Sequence, residues 1–402
     1  MKTQWIQEDN LTIAAGLLRE GELAAVPTET VYGLAGNGLD EKAVEEIYEV
    51  KGRPAVKPLS LMVPGREAMD SYCEDVPPQA RFLAERFWPG PLTIVLKAKG
   101  LVPAIVRAGG ETVGLRCPDH PLTLRLLREA GVPFAAPSAN PSGEPSPKTA
   151  EEVARYFNGQ IAAIVDGGPC GLGRESTLLD MSRTPYRILR QGALPEAEIA
   201  AALAEKLKLI GITGPSGSGK TSALKEIERQ GGLVLDCDAV YHELLESDEE
   251  LLEELSDAFP GTVKDGCLDR AALARIVFAD PAALRALNAL THRHISAEIE
   301  RRLRAWAMAG GTLAAVDAIE LIGSGLAARC TATVAVLAEK ETRIQRIMVR
   351  DRLSREDAER RVKAQQSDEY FIENCDYFLR NDGEQSSFIH AFQRLLKEIA
   401  HE

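Results

Sequence analysis

Lys220 and Thr221 end the run Gly214-Pro215-Ser216-Gly217-Ser218-Gly219-Lys220-Thr221, a spacing suited to cradling a nucleoside triphosphate. Gly214, Gly217 and Gly219, with Ser218 among them, let backbone N–H groups converge on a β-phosphate at a helix start. Lys220 can neutralise β and γ oxygens, and Thr221 can offer its hydroxyl to Mg²⁺. Downstream, Asp236-Cys237-Asp238 supplies two carboxylates. One of them can take a proton from an acceptor hydroxyl or hold the metal, as phosphoryl transfer to an alcohol requires. Their other open role is to cap a helix beginning near Ala239, since Asp is a favoured cap.

The first half of the chain holds a second polar set without such a loop. Thr28, Thr30 and Tyr32 recur at every second position after Pro27, so in an extended chain they share one face. Lys51 and Arg53 follow a helix on a segment that Gly52 and Pro54 force into a loop. Ser138 and Asn140 lie in Pro137-Ser138-Ala139-Asn140-Pro141-Ser142-Gly143, whose prolines and glycine hold them in a rigid turn. Loops that combine glycines and cations in this way commonly carry function. His292 and His294 are two apart, a spacing that points their rings in different directions on a helix, so no metal site is expected there.

The elements that position these residues read as α/β throughout. Up to Pro195, short apolar runs (Leu23 to Val26, Leu92 to Leu96, Ile161 to Val165) alternate with helical stretches such as Glu41 to Val50. An Ala-rich helix from Pro195 to Lys208 then leads into the buried strand Leu207 to Thr213, so the boundary is expected near Glu205 or Lys206, giving domains 1–205 and 206–402. Beyond it, strand, glycine loop, helix (Ser222 to Gln230) and strand (Leu233 to Leu235) make a βαβ opening that commits the second half to a parallel sheet. Helices dominate from Ala239 to Met308, strands follow at Leu313 to Val316 and Thr333 to Leu337, and Glu341 to Gln366 is charged and helical. A last amphipathic helix begins about Ser387.

The bulk properties narrow the function classes. A chain of 402 residues exceeds one ordinary core, and 45% hydrophobic with 27% charged residues is an ordinary globular composition. The net charge of -13 counts against tight binding to a nucleic-acid backbone, which needs clustered Lys and Arg. No signal-like segment or membrane-length apolar run is present, so a cytoplasmic protein is expected. The seven cysteines are scattered without a Cys-x-x-Cys pair and are expected to be reduced.

Over nearly all of 207–384 the residues resemble the dephospho-CoA kinase family. The glycine loop is followed in order by Asp236 to Leu244, Leu268-Asp269-Arg270, Asn288 to His292, Arg343, Arg346, Arg350-Asp351, Gln365, Cys375-Asp376 and Asn381-Asp382. The resemblance implies a P-loop kinase fold with a parallel sheet, a helical substrate insert from about 244 to 308, and a lid around Arg343 to Arg352. It implies ATP and Mg²⁺ as cofactors, Asp238 as acceptor-side base, and dephospho-CoA as acceptor near Asp236, His242 and His292, with Arg346 and Arg350 serving ATP. Independently, mobile cations suit the charge spread over a transferring phosphoryl group. Two stretches depart from the family pattern where the acceptor would bind: His292-Arg293 replaces His-Pro, and Asp317 to Gly323 replaces Asp-x-Pro-Leu-Leu-Phe-Glu.

From about Leu11 to Glu198 the residues resemble the YrdC-like threonylcarbamoyl-AMP synthase family. The paired signatures are Lys51/Arg53 and Ser138/Asn140, supported by Gly114-Leu115-Arg116, Asp166-Gly167-Gly168, Glu175-Ser176-Thr177 and Arg190-Gln191-Gly192. The resemblance implies a twisted mixed sheet with helices, and a reaction of ATP, L-threonine and bicarbonate that gives threonylcarbamoyl-AMP and pyrophosphate for modification of a tRNA adenosine. A threonine carbamate is already an anion, so its attack on the α-phosphorus needs charge screening more than a general base. Lys51, Arg53, Arg116 and Arg190 can supply it, Ser138, Asn140 and Ser176 can bond phosphate or ribose oxygens, and Thr28, Thr30 and Tyr32 can line the threonine site. tRNA-modification proteins are conceivable partners.

A competing reading makes the first half an RNA-gripping module. The second half is then a P-loop kinase for another small molecule, or a regulatory nucleotide-binding domain without its acceptor.

Overall fold

The structure is a computed structural model that describes residues 2–264, 266–318 and 320–401. The chain divides into two compact units, Met1–Glu205 with Met308–Gly310, and Lys206–Ala307 with Gly311–Glu402.

The first unit is built on a ten-stranded mixed sheet. Its strands are β1 (Gln4–Ile6), β2 (Ala24–Val26), β3 (Gly33–Asn37), β4 (Ser60–Met62), β5 (Leu92–Lys97), β6 (Thr112–Arg116), β7 (Phe134–Ala135), β8 (Ala163–Val165), β9 (Thr177–Asp180) and β10 (Arg187–Arg190). They lie in the order β1-β8-β2-β3-β7-β4-β6-β5-β9-β10. Parallel pairs such as β4/β6 and β5/β9 are interleaved with antiparallel pairs such as β2/β3 and β5/β6. Leu92 to Leu96 is buried without a break, as a strand covered on both faces requires. Ala14 and Leu18 of helix Leu11–Arg19 and Leu126 and Leu127 of helix Pro121–Ala130 pack on Ala24, Val26 and Phe134 of the sheet.

One expectation fails locally. Residues 29–31 are bent rather than extended. The Thr28 hydroxyl accepts from the backbone N–H groups of Thr30 (3.1 Å) and Val31 (3.2 Å) and donates to the Val31 carbonyl (2.7 Å). A threonine side chain that satisfies nearby backbone groups competes with the strand ladder and closes a turn instead.

The second unit carries the expected parallel sheet. Its strands are β11 (Lys208–Thr213), β12 (Leu233–Asp236), β15 (Leu313–Asp317), β16 (Ala332–Leu337) and β17 (Tyr377–Arg380), ordered β12-β15-β11-β16-β17. Between β12 and β15 the helical insert contains a small hairpin of β13 (Val263–Lys264) and β14 (Cys267–Leu268). Ile210 and Ile212 pack with Ile227 of helix Lys220–Arg229 and with Phe388 and Phe392 of helix Gln385–His401, while Ala335 and Leu337 meet Phe371 in a separate cluster.

The charged, helical stretch over 341–366 consists of two helices, Lys340–Asp351 and Arg355–Lys363. The break falls at Arg352, which adopts a left-handed φ of 54° although it is not glycine. Ile344 and Ile347 of the first helix pack on Ala358 and Val362 of the second, so the turn is offset by a small apolar core of its own.

Candidate active sites

In the second unit the phosphate loop leaves the carboxyl end of β11, and its neighbours deliver carboxylates at the same level. Asp236 ends β12 and Asp317 ends β15, and the two are direct register partners. The loop's shape depends on glycine: Gly214 has φ +135 and Gly219 φ +100, and a Cβ at Gly214 would meet the Val336 carbonyl while one at Gly219 would meet the Asn381 amide. Helix Lys220–Arg229 starts at once, with its N-terminal amides facing the loop.

The result is a cavity of about 410 Å³ whose lining includes Gly217, Gly219, Lys220, Thr221, Asp236, Asp238, Asp317, Arg346, Arg350 and Arg361. Lys220 Nζ rests on the Gly214 carbonyl at 3.0 Å. Gly214 and Ser218 are not on this wall, and Ser218 is buried with its hydroxyl unpartnered among the described residues. The arginines differ in duty. Arg343, 5% exposed, donates to the Ser216 carbonyl and Gln365, so it straps the loop from outside instead of sitting on a mobile lid. Arg346 likewise donates to the carbonyls of Gly217, Ser218 and Asn381.

The two aspartates after β12 also separate. Asp236 caps helix Cys237–Ser247 by accepting from the N–H groups of Asp238 (2.9 Å) and Ala239 (3.2 Å). Asp238 instead borders both the phosphate cavity and a second cavity of about 230 Å³ formed with Tyr241, Asn288, Thr291, His292 and Glu320. His242 stands apart: it is exposed, outside both linings, and bonds the Asp238 carbonyl at 2.6 Å one helical turn back. Arg293, which departs from the family pattern, turns to Glu254 and leaves His292 in the cavity wall. His294 is buried between Asp248 (2.9 Å) and Glu254 (3.3 Å).

Asp317 opens one of the two stretches that depart from the kinase family pattern. Burial pushes its carboxyl up to about 6, with Asp236 and Asp238 adding to the rise and Lys220 opposing it. Its Oδ1 is buried and has no hydrogen-bond partner among the described residues. A buried carboxylate oxygen without a donor, facing the same cavity as the Thr221 hydroxyl, fits a hard divalent cation that also takes phosphate oxygens and water.

In the first unit a cavity of about 160 Å³ is lined by Tyr32, Arg53, Thr93, Arg116, Ser138, Glu175, Ser176 and Arg190, among others. Strand ends and turns position them: Arg116 ends β6, Arg190 ends β10, and Ser176 precedes β9. Arg116 donates to Glu29 (2.8 Å) and Thr30 (2.8 Å), and Arg190 to Glu175 and the Ser176 carbonyl (2.9 Å). Arg53 donates to the Lys57 and Pro58 carbonyls, leaving its charge uncompensated by a carboxylate in these contacts. The wall therefore carries more cation than anion.

Lys51, Asn140, Thr28 and Thr30 are not on this wall. Lys51 is buried, and its ammonium reaches behind the turn to the carbonyls of Ser138 and Asn140. Burial pushes it down to about 8, with Arg53 adding to the fall and Glu175 opposing it. Asn140 bonds the carbonyls of Pro141 (3.0 Å) and Glu144 (2.7 Å), closing the turn on itself. Tyr32 does border the cavity, with its hydroxyl donating to Gly168 at 2.8 Å. Burial raises that phenol to about 12. Glu29, Thr93 and Glu175 escaped the sequence reading as functional, although Glu29 sits inside the Thr28 to Tyr32 run and Glu175 beside Ser176.

Two separate α/β units, one with a glycine-loop phosphate cavity and the other with an arginine-rich cavity beside Ser138 and Ser176, define a two-domain nucleotide-binding protein of the transferase class. Residues 16–192 match the Sua5, YciO and YrdC family model described as telomere recombination, and residues 208–387 match the dephospho-CoA kinase family model. Through its first unit the chain belongs to the threonylcarbamoyl-AMP synthase family, and its second unit matches the dephospho-CoA kinase model. It is 48% identical over 200 residues to threonylcarbamoyl-AMP synthase of Pyrococcus abyssi, covering 50% of this chain and 59% of that one. It is 36% identical over 191 residues to the putative threonylcarbamoyl-AMP synthase of Mycobacterium tuberculosis, covering 47% of this chain and 87% of that one. Among solved structures, dephospho-CoA kinase from Campylobacter jejuni matches with 23% identity and a TM-score of 0.33, over 48% of this chain and 98% of that one. The chain thus spans little more than half the length of the Pyrococcus relative. No helix among the described residues is long and apolar enough to cross a membrane.

Proposed function

We propose that the chain performs two independent ATP-dependent reactions. The first unit joins L-threonine, bicarbonate and ATP into threonylcarbamoyl-AMP with release of pyrophosphate. The second transfers the γ-phosphoryl group of ATP to the ribose 3′-hydroxyl of dephospho-CoA. The domains are taken as 1–205 and 206–402.

The observation that carries the kinase reading is Asp238, the carboxylate common to the phosphate cavity and the neighbouring cavity around His292. A hydroxyl held in the second cavity meets Asp238 before it meets the phosphate, so Asp238 accepts the proton as the new P–O bond forms. Lys220 and Arg350 meet the phosphate charge. Asp236 acts through its cap, which fixes where Asp238 points. Thr221 and Asp317 are the residues that would hold Mg²⁺, which when bound neutralises phosphate oxygens.

For the first unit, the excess of guanidinium over carboxylate on the wall supports attack of one anion on another. Arg53, Arg116 and Arg190 screen the α-phosphate, Ser138 and Ser176 offer hydroxyls to it, and Lys51 fixes the turn that carries Ser138. The purified chain is incubated with ATP and Mg²⁺ and each acceptor set in turn. Pyrophosphate must appear only with threonine and bicarbonate, and ADP and CoA only with dephospho-CoA; an acceptor set without product removes that half of the proposal.

A further inference from the structure

The two helices Lys340–Asp351 and Arg355–Lys363 carry a single carboxylate at their corner that serves both of them. Asp351 Oδ1 accepts from Arg350 Nε at 2.8 Å and Oδ2 from Arg350 Nη2 at 2.9 Å, while Oδ2 also accepts from Arg361 Nη1 at 2.8 Å. Arg350 comes from the first helix and Arg361 from the second, and both border the phosphate cavity. Asp351 is not on the cavity wall itself, and its side chain is 24% exposed against 57% and 47% for the two arginines.

Three facts set this carboxylate apart from an ordinary surface pair. Two guanidinium groups aimed into one cavity repel each other, and a shared carboxylate removes that repulsion while fixing their planes. The bonds to Asp351 use Nε and Nη2 of Arg350 but only Nη1 of Arg361, so each cation keeps further N–H donors for a ligand. The other arginine at this cavity, Arg346, is engaged with the carbonyls of Gly217, Ser218 and Asn381. Arg350 and Arg361 are therefore the guanidinium groups at the cavity that are not tied to the phosphate loop. The left-handed Arg352 next to Asp351 and the apolar contacts of Ile344 and Ile347 with Ala358 and Val362 hold the corner in one shape.

We propose that Asp351 is a positioning residue for the second unit, holding Arg350 and Arg361 side by side so that both meet the triphosphate. Arg361 is thereby assigned as a phosphate-contacting residue. This deepens the kinase reading and rests on it for the reaction, though not for the binding of ATP.

The test is a double-mutant cycle on the full chain with Asp351→Asn, Arg361→Ala and the combination. Asn keeps the size of Asp but loses the charge that both guanidinium groups need. With dephospho-CoA, ATP and Mg²⁺, each single change is expected to lower kcat about 100-fold, with KM for dephospho-CoA within about threefold of the parent. The combination should be no worse than about threefold below either single change, because Arg361 has nothing left to lose once its holder is gone. Multiplying effects, or wild-type kcat in either single variant, overturn the proposal. If the parent chain makes no CoA, the acceptor assignment fails by itself. The same cycle is then read on ATP affinity, taken as the part of ATP binding abolished by Lys220→Ala. A non-additive weakening of about tenfold supports the role of Asp351, and unchanged affinity overturns it.

Discussion

Replacing Lys51 with Met should change the stability of the first unit by no more than about 3 kcal/mol at pH 7, remove most of its activity, and erase a specific pH dependence. The ammonium donates to two buried carbonyls, those of Ser138 and Asn140. Leaving both unpaired costs about 1–3 kcal/mol each. Against this, burial holds Lys51 at about 8 rather than the ordinary 10.5. At ~1.36 kcal/mol per tenfold, that gap is a cost of roughly 3 kcal/mol for keeping the charged form at neutral pH. The two largely offset, leaving a net change between a gain of about 1 kcal/mol and a loss of about 3 kcal/mol. The sign with pH follows from proton counts. Below about 8 the lysine is protonated in both states; between about 8 and 10.5 the unfolded chain binds the proton and the folded one does not, so stability rises with pH through that window. The stability of the parent relative to Lys51→Met should therefore grow by roughly 3 kcal/mol across it. Urea unfolding read by pulsed hydrogen exchange on peptides from the first unit isolates this unit from the other. Pyrophosphate release should fall about 100-fold, since a turn displaced by about 1 Å misplaces Ser138. Equal pH slopes in parent and variant would refute the buried-cation account.

Arg116→Ala leaves Glu29 in a pair whose side chains are only 8% and 14% exposed, so the first unit should lose about 3–5 kcal/mol by the same exchange readout. Asp317→Asn acts in the opposite direction. The folded carboxyl, near 6 against an ordinary 3.8, binds protons the unfolded one has released, so stability is lost as pH rises through that window. The variant should lack this loss, unfold at higher urea at pH 7.5 by roughly 1–3 kcal/mol, and form no CoA. Asp238→Asn should depress CoA formation by about 100-fold or more with ATP affinity unchanged, whereas equal losses in both would make Asp238 part of the nucleotide site.

Sequence alone revealed most where chemistry is written in consecutive residues. The glycine loop from Gly214 to Thr221 is local, and its strand and helix neighbours are strongly patterned, so its place in the fold followed directly. Asp317 was harder, because its value lies in standing opposite Asp236 across two paired strands, which only the β12/β15 register reveals. Arg361 sits in a helix with Arg355 and Arg360, and composition does not distinguish the one that borders the cavity. The type and loop setting of Lys51 suit a side chain that faces phosphate. Its ammonium is buried on backbone carbonyls instead, and the cations that border the cavity are Arg53, Arg116 and Arg190. His242 and Thr28 misled for a related reason: each satisfies a nearby backbone group, a local use that a pattern of residue types does not announce.

Two separate sites in one chain are tested most directly by assaying parent and Lys220→Ala side by side for pyrophosphate and for CoA. With all substrates present, the parent should make both. The variant should lose CoA and keep pyrophosphate release at the parental rate. Loss of both products together, or pyrophosphate that needs neither threonine nor bicarbonate, would contradict the account.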